Sequence, residues 1–205
     1  MCKIKPMLDD SHYQTRLLGI CGSTRKGSWN LALLRTAAAL TADDVSLSIQ
    51  NVGDLPHYDQ DRDDTLGGTD TPGPVVDLRR SVSEADALIV ASPEYNWSFS
   101  GVLKNALDWC SRPAFASILA GKPTLLIGAS GGPAGTGRAQ LHLRQVLLST
   151  RTPVLIDCLQ VPNAADHFDA AGCITSPEIK SQLQSLIATL VTYTEVERSQ
   201  LDVID

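Results

Sequence analysis

The chain has 205 residues, 43% hydrophobic and 20% charged, which supports one packed domain and argues against a disordered chain. Seventeen Lys and Arg stand against 23 Asp and Glu, for a net charge of -6, and aromatics are 5%. That balance disfavours a general nucleic-acid binder, an anionic-membrane binder and a base-stacking platform.

The first 15 residues carry Lys3, Lys5, Asp9, Asp10 and His12 without an apolar core for a signal peptide, and read as an extension before a domain over 16–194. Arg16–Cys21 reads as a strand. Ser28–Leu40 reads as a helix with Leu33, Leu34, Ala37 and Leu40 on one face. Val45, Leu47 and Ile49 alternate with Ser46 and Ser48, which predicts a strand with one wet face. The stretch Asp54–Pro74 holds six Asp and several breakers and reads as a solvated loop. Pro74–Ser83 follows as a helix. Asp86–Ser92 and Pro123–Ala129 are near-continuous apolar strands. Gly101–Cys110 and Gly137–Ser149 are helices, and Val154–Val161 is a fifth strand. Ile179, Leu183, Leu186, Ile187, Leu190 and Val191 follow the helical period behind a Ser176 cap and Pro177. Residues 195–205 read as a tail.

Five strands alternating with helices predict an α/β fold: a parallel sheet covered by helices on both faces. The first, third and fourth strands are apolar throughout, as central strands are; the second alternates, as an edge strand does. The order 2-1-3-4-5 of a flavodoxin-like three-layer fold fits this distribution. In that order a ligand sits where the winding reverses, at the carboxyl ends of the first and third strands.

Both of those loops are chemically informative. Gly22-Ser23-Thr24-Arg25-Lys26-Gly27-Ser28-Trp29-Asn30 leads from a strand into a helix. Converging backbone N–H groups, a helix N-terminus, the hydroxyls of Ser23 and Ser28 and the Arg25 guanidinium suit a phosphate. The alternative is a capped turn with surface cations. Gly22-x4-Gly27 also matches P-loop spacing, but Ser28 stands where that motif needs Lys. The second loop is Ser92-Pro93-Glu94-Tyr95-Asn96-Trp97-Ser98-Phe99-Ser100-Gly101. Tyr95, Asn96 and Trp97 offer a flat ring both a surface and backbone donors. For Phe99 and Trp109 ordinary packing is the favoured reading.

Together the loops form a recognisable pattern. GSTRKGSWN resembles the G-S-x-R-x-x-S-x-N phosphate loop of the NADPH-dependent FMN reductase family. PEYNWSFSGVLKNALDW resembles that family's P-E-Y-N-x-S-x-x-G-x-L-K-N-A-x-D-W segment at every defined position. The resemblance extends over about residues 16–192 and is closest to the quinone, azo and chromate reductase branch.

The resemblance implies that Ser23, Arg25 and Ser28 bind the FMN phosphate and that Asn30 orders the loop from the helix. It implies that Pro93, Glu94, Tyr95 and Asn96 line the isoalloxazine, largely through backbone groups near its reactive edge, with Trp97 and Ser98 beside it. Lys104, Asn105 and Asp108 match as structural positions, and Asp108 with Arg112 has i,i+4 spacing for an ion pair. The glycine-rich segment Ser130–Gly137 resembles the third flavin-contacting loop, with Ser130 and Gly131 as the contacts; it matches no G-x-G-x-x-G register. Of Arg138, His142 and Arg144 on the next helix, His142 reads as structural or interfacial rather than catalytic.

The implied activity is NAD(P)H oxidation through bound FMN, with electrons passed to a quinone, azo compound, metal oxyanion or flavin. The flavin carries the chemistry, so no catalytic side chain and no metal is called for. The sequence singles out no residue that separates NADPH from NADH. Rival readings are a flavodoxin-like electron carrier or FMN sensor, which the acidity suits, and a nucleotide hydrolase, which only the Gly22–Gly27 spacing suits. The resemblance further implies a homodimer or homotetramer that completes the site across subunits. Cys2, Cys21, Cys110, Cys158 and Cys173 are odd in number and contain no C-x-x-C, so a disulfide framework and a zinc site are poor readings and a reducing cytoplasm is expected. No apolar run approaches a membrane span.

Overall fold

The computed structural model of the protein describes residues 15–201. The extension and the end of the tail lie outside these residues. Five strands form one parallel sheet in the order β2-β1-β3-β4-β5. They are β1 (Thr15–Cys21), β2 (Val45–Asn51), β3 (Ala87–Ala91), β4 (Thr124–Ala129) and β5 (Leu159–Val161). The helices are α1 (Trp29–Leu40), α2 (Gly73–Glu84), α3 (Gly101–Cys110), α4 (Gly137–Ser149) and α5 (Pro177–Leu201).

The two-residue period of the strands divides the core in two. Leu17, Ile89, Leu125 and Ile127 face α1 and α5, where they meet Leu33, Leu34, Leu183 and Leu190. Leu18, Leu88, Val90 and Leu126 face the opposite side, against Leu78 of α2, Leu103 and Leu107 of α3 and Leu143 of α4. The central strands are therefore buried on both faces, β1 from Leu17 onward, whereas in β2 only Val45 is fully buried. This is the expected flavodoxin-like arrangement.

Four local expectations are corrected. The fifth strand is shorter than Val154–Val161: Val154 makes a single bridge to Thr124, and regular pairing begins at Leu159. The cause is Arg144, whose guanidinium takes the carbonyls of Val154, Leu155 and Ile156 at 3.3, 2.7 and 3.2 Å. Asp108 does not pair with Arg112, because α3 ends at Cys110. It pairs with Lys104 at 2.6 Å, and Arg112 bonds and stacks on Tyr58 instead. The stretch after β2 is not simply solvated. It contains two 3-10 turns around Asp63, which is 0% exposed and receives Arg79 at 2.8 Å. Finally, α5 continues from Glu195 to Leu201, so the described part of the tail is helical.

Candidate functional site

The loops after β1, β3 and β4 rise from the same end of adjacent strands. Buried serines lock the first two together. Ser100, 3% exposed, caps α3 through Leu103 N–H at 3.3 Å and donates to the Gly22 carbonyl at 2.6 Å. Ser92 Oγ accepts Ser100 N–H at 3.3 Å, and Gly22 N–H donates to Ala91. A Cβ on Gly22 would press on Ser100 Oγ and Leu103, so glycine is needed for this close approach.

The β1–α1 loop is a donor-rich cradle. Apart from Ser28, whose N–H closes the turn at Lys26 and Gly27, none of the backbone N–H groups from Ser23 through Asn30 donates to another described residue. Ser28 caps α1 by accepting Leu31 N–H at 3.1 Å, which leaves the Trp29 and Asn30 amides open at the helix start. Ser23 and Ser28 are buried, and the exposed Arg25 lies over the Trp29 ring at 5.6 Å. From Gly22 to Ala42 the chain has Arg25, Lys26 and Arg35 and no acidic residue, while Arg16, at the far end of β1, is paired with Asp86. An acidic protein thus has a locally positive loop at a positive helix end. Beneath it, burial pushes the Cys21 thiol up, against smaller lowering by the Ser23 backbone, the Ser28 hydroxyl and the Arg35 charge. Cys21 is floor, not chemistry.

Asn30 is buried and does not reach into the loop. Its amide holds the end of β4: Nδ2 donates to the Ala129 carbonyl at 3.1 Å and Oδ1 accepts Ala129 N–H at 3.0 Å. Ser130 and Gly131 follow directly. Ser130 Oγ accepts Gly132 N–H, and Gly131 leaves a Cβ only 3.4 Å from Trp29. Asn30 and Trp29 therefore fix the third loop against the first.

In the β3–α3 loop, Pro93 is buried and ends the strand. Tyr95 and Ser98 exchange two backbone hydrogen bonds, at 2.8 and 3.0 Å. Between them Asn96 and Trp97 have φ of 50° and 67°, a two-residue turn of the I′ kind. Asn suits that conformation; Trp does not. The Asn96 and Trp97 N–H groups donate to no described residue, and Trp97 is 69% exposed. Glu94 turns away from the turn, its side chain only 7% exposed, and binds the start of α4. His142 Nδ1 is 3.3 Å from Ser98 Oγ.

The other expected residues are structural. Asn105 holds the segment after β2 through Tyr58 N–H and the Pro56 carbonyl, both at 2.8 Å. Trp109 is fully buried and donates to Pro56. Ser100, Arg138 and the stack of Arg25 on Trp29 were not singled out by the sequence reading. Ser100 is signalled only as a helix cap, and the partners of Arg138 lie 44 residues away. A groove of about 710 Å³ between α5 and the approach to β5 is lined by Asp157, Cys158 and Gln182, and by no residue of this site. Among the described residues no acidic, His and Cys group could hold a metal, and no helix is long and apolar enough to cross a membrane.

An FMN phosphate fits the first loop: open N–H groups, hydroxyls and a guanidinium meet at one helix end. A planar ring fits the surface and free donors of the second. The comparisons agree. The profile of the NADPH-dependent FMN reductase family matches residues 15–166. An NAD(P)H-dependent FMN reductase of Pseudomonas aeruginosa is 38% identical over 176 residues, 85% of this chain and 92% of the relative. A 2-hydroxy-1,4-benzoquinone reductase of Burkholderia sp is 37% identical over 169 residues, 82% of this chain and 90% of the relative. Among solved structures, the flavoenzyme NAD(P)H:(acceptor) oxidoreductase FerB of Paracoccus denitrificans superposes with a TM-score of 0.78 at 31% identity, over 89% of this chain and 98% of that one. The cradle, the turn and these relatives lead to one conclusion: the chain belongs to the NADPH-dependent FMN reductase family.

Proposed function

We propose that the Ser23–Asn30 loop holds the FMN phosphate through its backbone N–H groups, with Ser23, Ser28 and Arg25 as side-chain donors. In the same reading Pro93–Ser98 lies along the isoalloxazine, and Ser130 and Gly131 close the third side. The protein is an FMN-dependent NAD(P)H oxidoreductase. When bound, FMN supplies two-electron chemistry, accepting hydride from a reduced nicotinamide and passing electrons to an acceptor. The residues of the chain bind and orient. The open N–H groups of Asn96 and Trp97 are fixed dipoles for negative charge on a reduced ring, and buried Pro93 and Ser92 keep that loop from relaxing.

The observation that carries the reading is the run of N–H groups from Ser23 to Asn30, Ser28 excepted, with no partner among the described residues. A quinone is the acceptor class proposed, as in the name of the Burkholderia relative; azo compounds, metal oxyanions and free flavin share the requirement for an accessible reduced ring. Exposed Tyr95 and Trp97 at the rim support a homodimer or homotetramer in which a second subunit covers the site. The four described cysteines are free, which suits a reducing cytoplasm.

The test is FMN retention in Arg25→Ala. Loss of a charge-assisted bond of about 1.5–3 kcal/mol weakens binding about 10- to 150-fold. An unchanged FMN affinity overturns the placement of the phosphate.

A further inference from the structure

The turn beside the proposed flavin site carries a conformational conflict. Trp97 has φ of 67°, where a bulky side chain is strained, yet its ring is 69% exposed and is not held by core packing. Something else must hold it there. The described contacts give one candidate, on the first turn of α4.

Thr136, the residue before α4, has a left-handed φ of 74° and makes no capping bond from its side chain. Glu94 takes that place across the fold. Its Oε2 accepts the Arg138 and Ala139 N–H groups at 3.1 and 3.2 Å. Its Oε1 receives the Arg138 side chain, with Nε at 2.6 Å. The same guanidinium lies over the Trp97 ring at 4.9 Å. One planar group therefore ties the residue before the turn to the residue inside it. His142, one helical turn further on, meets Ser98 just after it.

We propose that Arg138 is a positioning residue for the flavin: by binding Glu94 and stacking on Trp97 it holds Asn96 and Trp97 in the left-handed conformation that aims their open N–H groups. The proposal rests on the reading that this turn faces the isoalloxazine. A guanidinium suits the task better than an ammonium, because its plane stacks while its edge donates.

The sequence of the turn provides the test. Asn-Gly is the preferred pair for this turn and needs no outside support. In Trp97→Gly the turn keeps its shape unaided, so Arg138 loses its task. Arg138→Met removes the guanidinium but leaves the backbone half of the Glu94 cap, so α4 keeps its start. Apoprotein of wild type, R138M, W97G and the double variant is titrated with FMN, and the midpoint potential of the bound flavin is measured by dye equilibration. R138M is expected to weaken FMN binding 5- to 20-fold and to lower the midpoint potential, since Glu94 is left as an unpaired negative charge. In the W97G background, R138M is expected to change affinity less than twofold. Equal losses in both backgrounds overturn the proposal, because Arg138 then acts without Trp97. An affinity within twofold of wild type together with an unchanged potential in R138M also overturns it, and R25A in parallel separates that result from a failure of the FMN reading. If wild type binds no FMN, the reading falls and the proposal with it.

Discussion

Replacing Asn30 by Ala is the sharpest test of how the three loops are held together. The side chain is 4% exposed and makes two hydrogen bonds to the backbone of Ala129, itself 2% exposed. Truncation leaves one donor and one acceptor buried at the end of a central strand. Each such group costs about 1–3 kcal/mol. Water entering the vacated space offsets part of this, so a loss of about 3 kcal/mol is expected. With a urea m-value of about 2 kcal/mol/M for a chain of this size, the midpoint falls by about 1.5 M. Equilibrium unfolding of the apoprotein, followed by far-UV circular dichroism, measures it. FMN affinity falls as well, because Ser130 and Gly131 follow Ala129. A midpoint within about 0.3 M of wild type, with an unchanged m-value, would refute the reasoning.

Asp63→Asn removes the charge from a carboxylate that is 0% exposed and paired with Arg79, whose side chain is 13% exposed; a loss of about 3 kcal/mol at pH 7 is expected in urea unfolding. Burial alone would raise the Asp63 pKa, but bonds from Thr65 and Arg79 outweigh it and hold it below its ordinary 3.8. The unfolded chain then binds the proton more readily, so this stability is complete above about pH 5 and is lost as pH falls through the folded value. The gap between wild type and D63N should therefore narrow in acid; a gap independent of pH contradicts the pairing. Thiol labelling at neutral pH should reach Cys158 and Cys173 first among the described cysteines, since burial pushes Cys110 to about 12 and raises Cys21. Fast labelling of Cys110 in folded protein would count against its burial.

Much of the fold was legible because its signals are local. The strand order followed from which strands are apolar on both faces, and the alternation of Val45, Leu47 and Ile49 marked the edge. Caps at Ser28, Ser100 and Ser176 set helix starts within a residue. The two motif loops were legible as turns at helix starts because glycine, proline and hydroxyl residues declare such turns in sequence. What escaped depends on distant partners. Nothing near Asp63 distinguishes it from its five acidic neighbours in the segment; Arg79 does, from 16 positions away. The short fifth strand reflects Arg144 on α4, not the residues of the strand. Asn30 was read as ordering its own loop, and its partner lies 99 positions away. The reading of Glu94 concerned its backbone beside the flavin; the commitment of its carboxylate to α4, 44 positions away, was not legible.

The locally positive loop resolves the tension in the composition. In the proposed reading, a protein of net charge -6 recognises an anionic cofactor through the Gly22–Asn30 loop, which lacks any acidic residue and leads into the open start of α1. In that reading overall charge governs solubility and long-range attraction, and the local dipole and guanidinium govern binding.

The most direct test of the central claim is anaerobic rapid mixing of the FMN-loaded protein with NADPH, followed by a quinone. The account predicts that flavin absorbance near 450 nm bleaches and that the quinone restores it, cycle after cycle. A flavin that binds but stays oxidised with both NADPH and NADH would contradict the reductase assignment and leave an electron carrier in its place.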